Sequence, residues 1–114
     1  MGRWRIEVVT EGGFFGRGLG GITVTPKTIE SIGLGTARRF ALDAATRVRV
    51  EGAIAAALAT EWPESNDDGF GDEIRYTLTL DAEGEVRRLS WSGETPRLPS
   101  AIADLVDLVL SLRG

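Results

Sequence analysis

Apolar residues recur at every second position in several stretches of this chain, and that period restricts the fold more than any other property of the sequence. Trp4, Ile6 and Val8 alternate with Arg3, Arg5 and Glu7, and Ile74, Tyr76, Leu78 and Leu80 alternate with Arg75, Thr77, Thr79 and Asp81. Phe40 and Leu42 continue the pattern within the segment Arg38 to Leu42. Side chains of an extended strand point to opposite faces in turn, so each segment reads as a strand with one face in a core and the other in water. A sheet built from such strands needs cover on one side only.

The first strand runs from Arg3 to Thr10 and stops at Glu11-Gly12-Gly13. Gly21 to Thr25 reads as a second, short strand ended by Pro26. Residues 27–36 follow no decided period, and Arg38 to Leu42 supplies a third strand. Residues 74–81 and 85–92 form a hairpin, with Asp81-Ala82-Glu83-Gly84 providing the turn chemistry. In its return strand Val86 and Leu89 have opposite parity, so a bulge near Arg87-Arg88 is expected if both are buried.

Two segments have the helical period instead. Between Ala44 and Ala59, the residues Val50, Ala53, Ile54, Ala57 and Leu58 fall at the spacing of one buried helical face. Asp43 is placed to cap that helix, and Trp62-Pro63 ends it. A second helix follows Pro96–Pro99 and runs to about Leu112, with Pro99 near its first turn. Its polar stripe is narrow, formed by Ser100, Asp104, Asp107 and Ser111, so the helix is expected to be sunk against the sheet or used in an interface. The reading is a single α+β domain over residues 1–114, an antiparallel sheet of four to five strands packed with two α-helices. The 114 residues include no cysteine, so a disulfide framework is excluded and the core must hold the fold.

Histidine is absent as well. Without imidazole or thiolate groups, catalysis would rest on carboxylates alone, whereas recognition needs shape, anchor groups and complementary charge. The expectation is therefore a binding protein, not an enzyme. Gly16-Arg17-Gly18-Leu19-Gly20-Gly21 matches G-x-G-x-x-G, but a strand pattern follows it where a phosphate-binding loop requires a helix, so no nucleotide cofactor is expected. Glu64, Asn66, Asp68 and Gly69 resemble the first half of a calcium loop, yet Arg75 stands where a bidentate glutamate is needed, so no metal is expected. Residues 1–50 carry eight basic against four acidic side chains, and residues 51–114 five against thirteen. The basic residues come singly or in pairs without a stripe, which argues against nucleic acid. Met1 to Ile6 begins the strand alternation and has no apolar run, so neither a signal peptide nor a spanning helix is expected, and the plain reading is a cytoplasmic protein away from membranes. Trp4, Trp62, Trp91, Phe40 and Tyr76 have core-like parity. Phe14 and Phe15 are consecutive, so one of them must point outward if they lie in a strand.

Arg5-Ile6-Glu7-Val8-Val9 followed by Gly12-Gly13-Phe14, the Trp62-Pro63 step, the hairpin from Tyr76-Thr77-Leu78-Thr79-Leu80 to Val86-Arg87-Arg88-Leu89-Ser90, and Pro96-Arg97-Leu98-Pro99 before an apolar helix resemble the emfourin family. These are small bacterial proteins that inhibit thermolysin-like zinc metallopeptidases, typified by protealysin. The resemblance covers most of the chain in order. It implies a competitive inhibitor that enters the cleft of the peptidase, is a monomer when free, and presents an apolar side chain on a rigid loop. The segment Gly16 to Ala37 is longer and richer in glycine than the family pattern, and residues 64–71 have their own sequence; both depart from the family and both are candidate contact regions. Gly12, Gly13, Phe14, Phe15 and Leu19 at one end, and Asp67, Asp68 and Phe70 in the 64–71 loop, are the partner-binding residues that the resemblance implies, with either aspartate placed to reach the zinc of the target. The competing expectation is a non-enzymatic domain that self-associates through the glycine-rich segment and the last helix.

Overall fold

The computed structural model describes residues 2–12, 20–33, 36–63, 74–92 and 98–112. Within them the elements are β1 (Trp4–Gly12), β2 (Gly20–Val24), β3 (Thr28–Gly33), β4 (Thr36–Ala41), α1 (Ala44–Leu58), β5 (Ile74–Ala82), β6 (Glu85–Ser92) and α2 (Ser100–Ser111). The strands form one antiparallel sheet in the order β4-β3-β2-β1-β5-β6. Among the described residues, both helices pack on the same face, and no element covers the other, the open face.

The α+β architecture with two helices agrees with the sequence reading, but the sheet has six strands where four to five were expected. The additional strand is β3. Its inward positions are Ile29 and Ser31, both buried, while Ile32 faces outward and is 61% exposed. A serine inside and an isoleucine outside erase the apolar alternation that identifies a strand.

Ile6 and Val8 of β1 occupy the centre of the core. They pair with Val24 and Ile22 of β2 on one side and with Leu80 and Leu78 of β5 on the other, so the apolar parities of the three strands coincide. Val50, Ile54 and Ala57 of α1 and Ile102, Leu105, Val106 and Val109 of α2 close over them. Burying each large side chain contributes about 1.5–3 kcal/mol relative to leaving it exposed. The polar stripe Ser100, Asp104, Asp107 and Ser111 is the part of α2 that faces water, so this helix is sunk against the sheet. Among the described residues, no helix is long and apolar enough to cross a membrane.

Local chemistry sets the ends of α1. Asp43 Oδ1 accepts a 2.7 Å hydrogen bond from the backbone N–H of Thr46, satisfying one of the donors left free in a first helical turn. That bond, with a further one from the Thr46 side chain, holds the Asp43 carboxyl below the usual carboxylate range. At the other end, Trp62 Nε1 donates to the Ala57 carbonyl at 2.9 Å, folding the chain back before Pro63.

The β5–β6 register is continuous from Arg75 opposite Ser92 to Ala82 opposite Glu85, and the expected bulge is absent from it. Its premise fails, because Leu89 is buried while Val86 faces the open side at 65% exposure. Arg87 takes the inward position beyond Leu89. Its guanidinium lies 5.8 Å from the centre of the Trp62 ring and bonds to Glu85, so a charged head remains partly hydrated at the core boundary. The turn is two residues long, with Glu83 and Gly84 both at positive φ, the geometry that matches the twist of a hairpin. Trp4 and Trp91 are buried as expected, Tyr76 stacks on Trp91 at 5.5 Å, and Trp62 packs against the core. Phe40 departs from the expectation. It is 41% exposed, because it sits on the edge strand β4.

Candidate protein-interaction surface

The two ends of the sheet differ in how their strands are connected. At one end Thr25 to Thr28 and Glu83-Gly84 make short turns, and Leu42-Asp43 leads directly from β4 into α1. The opposite end carries the seven-residue connection from β1 to β2, the two-residue step from β3 to β4, the entry to β5 and the exit from β6. Thr10 pairs with Gly20 and Gly12 with Ile74, while Arg75 pairs with Ser92 and Gly33 with Thr36. The points at which residues 13–19, 34–35, 64–73 and 93–97 join the sheet therefore all lie at this end.

Gly12 is the last residue of β1 and the register partner of Ile74, the first residue of β5. Gly13, Phe14, Phe15, Leu19, Asp67, Asp68 and Phe70 lie outside the described residues. The topology brings together the attachment points of the two segments that contain them. Neighbouring strands lie about 4.8 Å apart, so the start of residues 13–19 and the end of residues 64–73 attach to the sheet one strand spacing apart. The sequence alone places these segments some fifty positions apart and gives no sign of that adjacency.

Sequence reasoning did not single out the open face. Its outward positions form rows across the strands. Ala37, Ile32, Gly21, Val9, Thr77 and Ser90 make one row, small or apolar on β4 to β1 and hydroxylated on β5 and β6. The adjacent row, Arg39, Glu30, Thr23, Glu7, Thr79 and Arg88, carries charge. Between β1 and β3 the surface dips into a concavity of about 320 Å³, lined mainly by apolar atoms of Val9, Gly21 and Ile32 with Glu7 and Glu30 at its rim. The signal for it was available in the parity of Val9, an apolar residue at a position where the alternation of β1 demands an outward side chain. A second concavity, of about 210 Å³, lies between α2 and the β5–β6 hairpin, where Tyr76, Trp91 and Leu98 meet Val106 and Leu110.

Among the described residues, no group of three or more histidine, cysteine, aspartate or glutamate side chains is arranged to hold a metal ion. Gly20 and Gly21 begin β2, so the G-x-G-x-x-G segment leads into a strand, as the sequence implied. Arg75, the residue at the closing position of the calcium-like pattern, lies in β5, and residues 64–71 of that pattern are outside the described residues. Among the described residues, the exposed chemistry includes backbone at the sheet edges, isolated ion pairs such as Arg5–Glu7 and Arg39–Glu30, and shallow apolar depressions. Compared with known proteins, the chain matches no family model, no curated protein and no solved structure.

Proposed function

We propose that this protein inhibits thermolysin-like zinc metallopeptidases, and that its contact surface is the end of the sheet from which residues 13–19 and 64–73 depart. The observation that carries this reading is the pairing of Gly12 with Ile74, which attaches one end of each of two aromatic-bearing segments to adjacent central strands of the sheet. An inhibitor of a cleft enzyme needs such a platform, because an anchor side chain gains affinity when it is held in place before binding. Phe14, Phe15, Leu19 and Phe70 are the apolar residues of those segments, and Asp67 and Asp68 bring carboxylates beside Phe70. A standard interface buries about 800 Å² per partner, an area that two neighbouring loops and an adjoining strand end supply. The absence of histidine and cysteine agrees with a protein that works by occupying a cleft.

The competing reading is self-association through the glycine-rich segment and α2; on the helix side, Ile102, Leu105, Val106 and Val109 are buried within the domain and so are withdrawn from such a surface. The large exposed apolar residues Ile32, Phe40, Val48 and Val86 are spread over β3, β4, α1 and β6 and over both faces of the sheet.

The test is hydrolysis of a peptide substrate by a protealysin-like or thermolysin-like enzyme after preincubation with the protein. Stoichiometric loss of activity is expected, and replacing Phe14 and Phe15 together with alanine should weaken inhibition while the circular dichroism spectrum is retained. Undiminished hydrolysis by several such enzymes at micromolar protein would overturn the reading.

A further inference from the structure

The concavity on the open face lies beside the end of the sheet to which inhibition is assigned, and its chemistry points to a ligand of its own. Gly21 is central to it. A Cβ atom at this position would stand 3.3 Å from the carbonyl oxygen of Val8, tighter than ordinary contact, so glycine lets β2 lie close against β1. The same missing side chain leaves a gap in the outward row, with Val9 and Ile32 as its walls. One row along, Glu7 and Glu30 stand on either side of Thr23, their Cα atoms two strand spacings, or about 10 Å, apart.

Each of these carboxylates is engaged through one oxygen. Glu7 Oε2 accepts from Arg5 at 3.3 Å and Glu30 Oε1 lies 3.5 Å from Arg39, in ion pairs open to solvent and therefore weak. The second oxygen of each has no partner among the described residues. An apolar trough that opens between two carboxylates is complementary to a long side chain with an aliphatic stem and a cationic head. Arginine suits it better than lysine, because a planar guanidinium presents donors along separate edges and can address two carboxylates, whereas an ammonium is a compact point charge.

We propose that this concavity receives an arginine side chain of a partner protein, with the stem over Gly21 between Val9 and Ile32 and the guanidinium between Glu7 and Glu30. The site does not depend on inhibition, since its residues belong to the sheet and its test needs no peptidase.

Titration of the ¹⁵N-labelled protein with Nα-acetyl-L-arginine amide, followed by ¹H–¹⁵N correlation spectra, tests it. Saturable shifts are expected at the amides of Val9, Gly21, Thr23 and Ile32. The exposed substitutions Glu7→Gln and Glu30→Gln together should raise the dissociation constant about tenfold, as two charge-assisted contacts are lost. Ile32→Ser should weaken binding as well, and the uncharged analogue Nα-acetyl-norleucine amide should leave these amides unmoved. Shifts scattered over unrelated carboxylates, an equal response to the norleucine compound, or binding unchanged by the double substitution would overturn the proposal.

Discussion

Replacing Ile54 with alanine tests the packing of α1, the element whose two faces are least distinct in composition. Ala45, Ala55 and Ala56 lie on its exposed side, so apolar content alone does not say which face is inward. Ile54 has no solvent exposure, whereas Val48 in the same helix is 65% exposed. Isoleucine to alanine removes about three buried carbon atoms, worth about 2.4 kcal/mol at about 0.8 kcal/mol each. The residual cavity beneath two helices and a sheet raises the cost to about 3–4 kcal/mol. Against a total stability of about 5–15 kcal/mol, that is a large fraction. In urea unfolding followed by circular dichroism, a slope of about 1–3 kcal/mol per molar turns a 3 kcal/mol loss into a midpoint lower by about 1–3 M. Val48→Ala is the internal control and should change stability by no more than about 0.5 kcal/mol. A cost below about 1 kcal/mol for Ile54→Ala, or equal costs at the two sites, would refute the assigned face.

Two further perturbations probe local devices. Because hydrogen bonding lowers the folded-state pKa of Asp43, its contribution is fully present above the ordinary carboxylate value of about 3.9 and disappears as the pH falls through the lowered folded value. Asp43→Asn, which keeps a capping oxygen, should flatten the part of the melting temperature's acid dependence that lies below about pH 4, and identical acid profiles would exclude the cap as its source. At the β5–β6 turn, Gly84→Ala forces a side chain into φ +80° and should cost about 1 kcal/mol. Glu83→Asn places a residue suited to positive φ at φ 55° and should raise stability by about 0.5 kcal/mol, both readable as shifts in thermal midpoint.

The parts of the fold legible in the sequence are those in which one physical rule acts alone. The inward sets of β1, β5, α1 and α2 follow from period and parity, and the positions of Asp43 and Pro99 mark where the helices begin. The parts that were not legible involve competition between rules. Ser31 lies inside and Ile32 outside because β3 is fixed by its ladders to β2 and β4, and pairing overrides hydrophobic pattern near a sheet edge. Val86 suggested a bulge only under the assumption that it was buried, and the continuous register shows an exposed valine instead. For the candidate site, sequence indicated the segments but not that Gly12 and Ile74, where one end of each meets the sheet, are neighbours, which depends on β5 entering the sheet beside β1 after about sixty intervening residues. The rows on the open face needed the register of several strand pairs, and no local pattern carries that information.

The unequal ends of the sheet make framework and connections separable in the history of such a chain. Strand register is fixed by the tight turns and by the inward residues of β1 and β5, far from the long connections. Doubling the length of a flexible connection costs only about 0.6 kcal/mol in closure entropy. Length changes between β1 and β2 or between α1 and β5 can therefore accumulate while the framework keeps its register, so descendants of one scaffold would diverge first between these elements and last in how they fold.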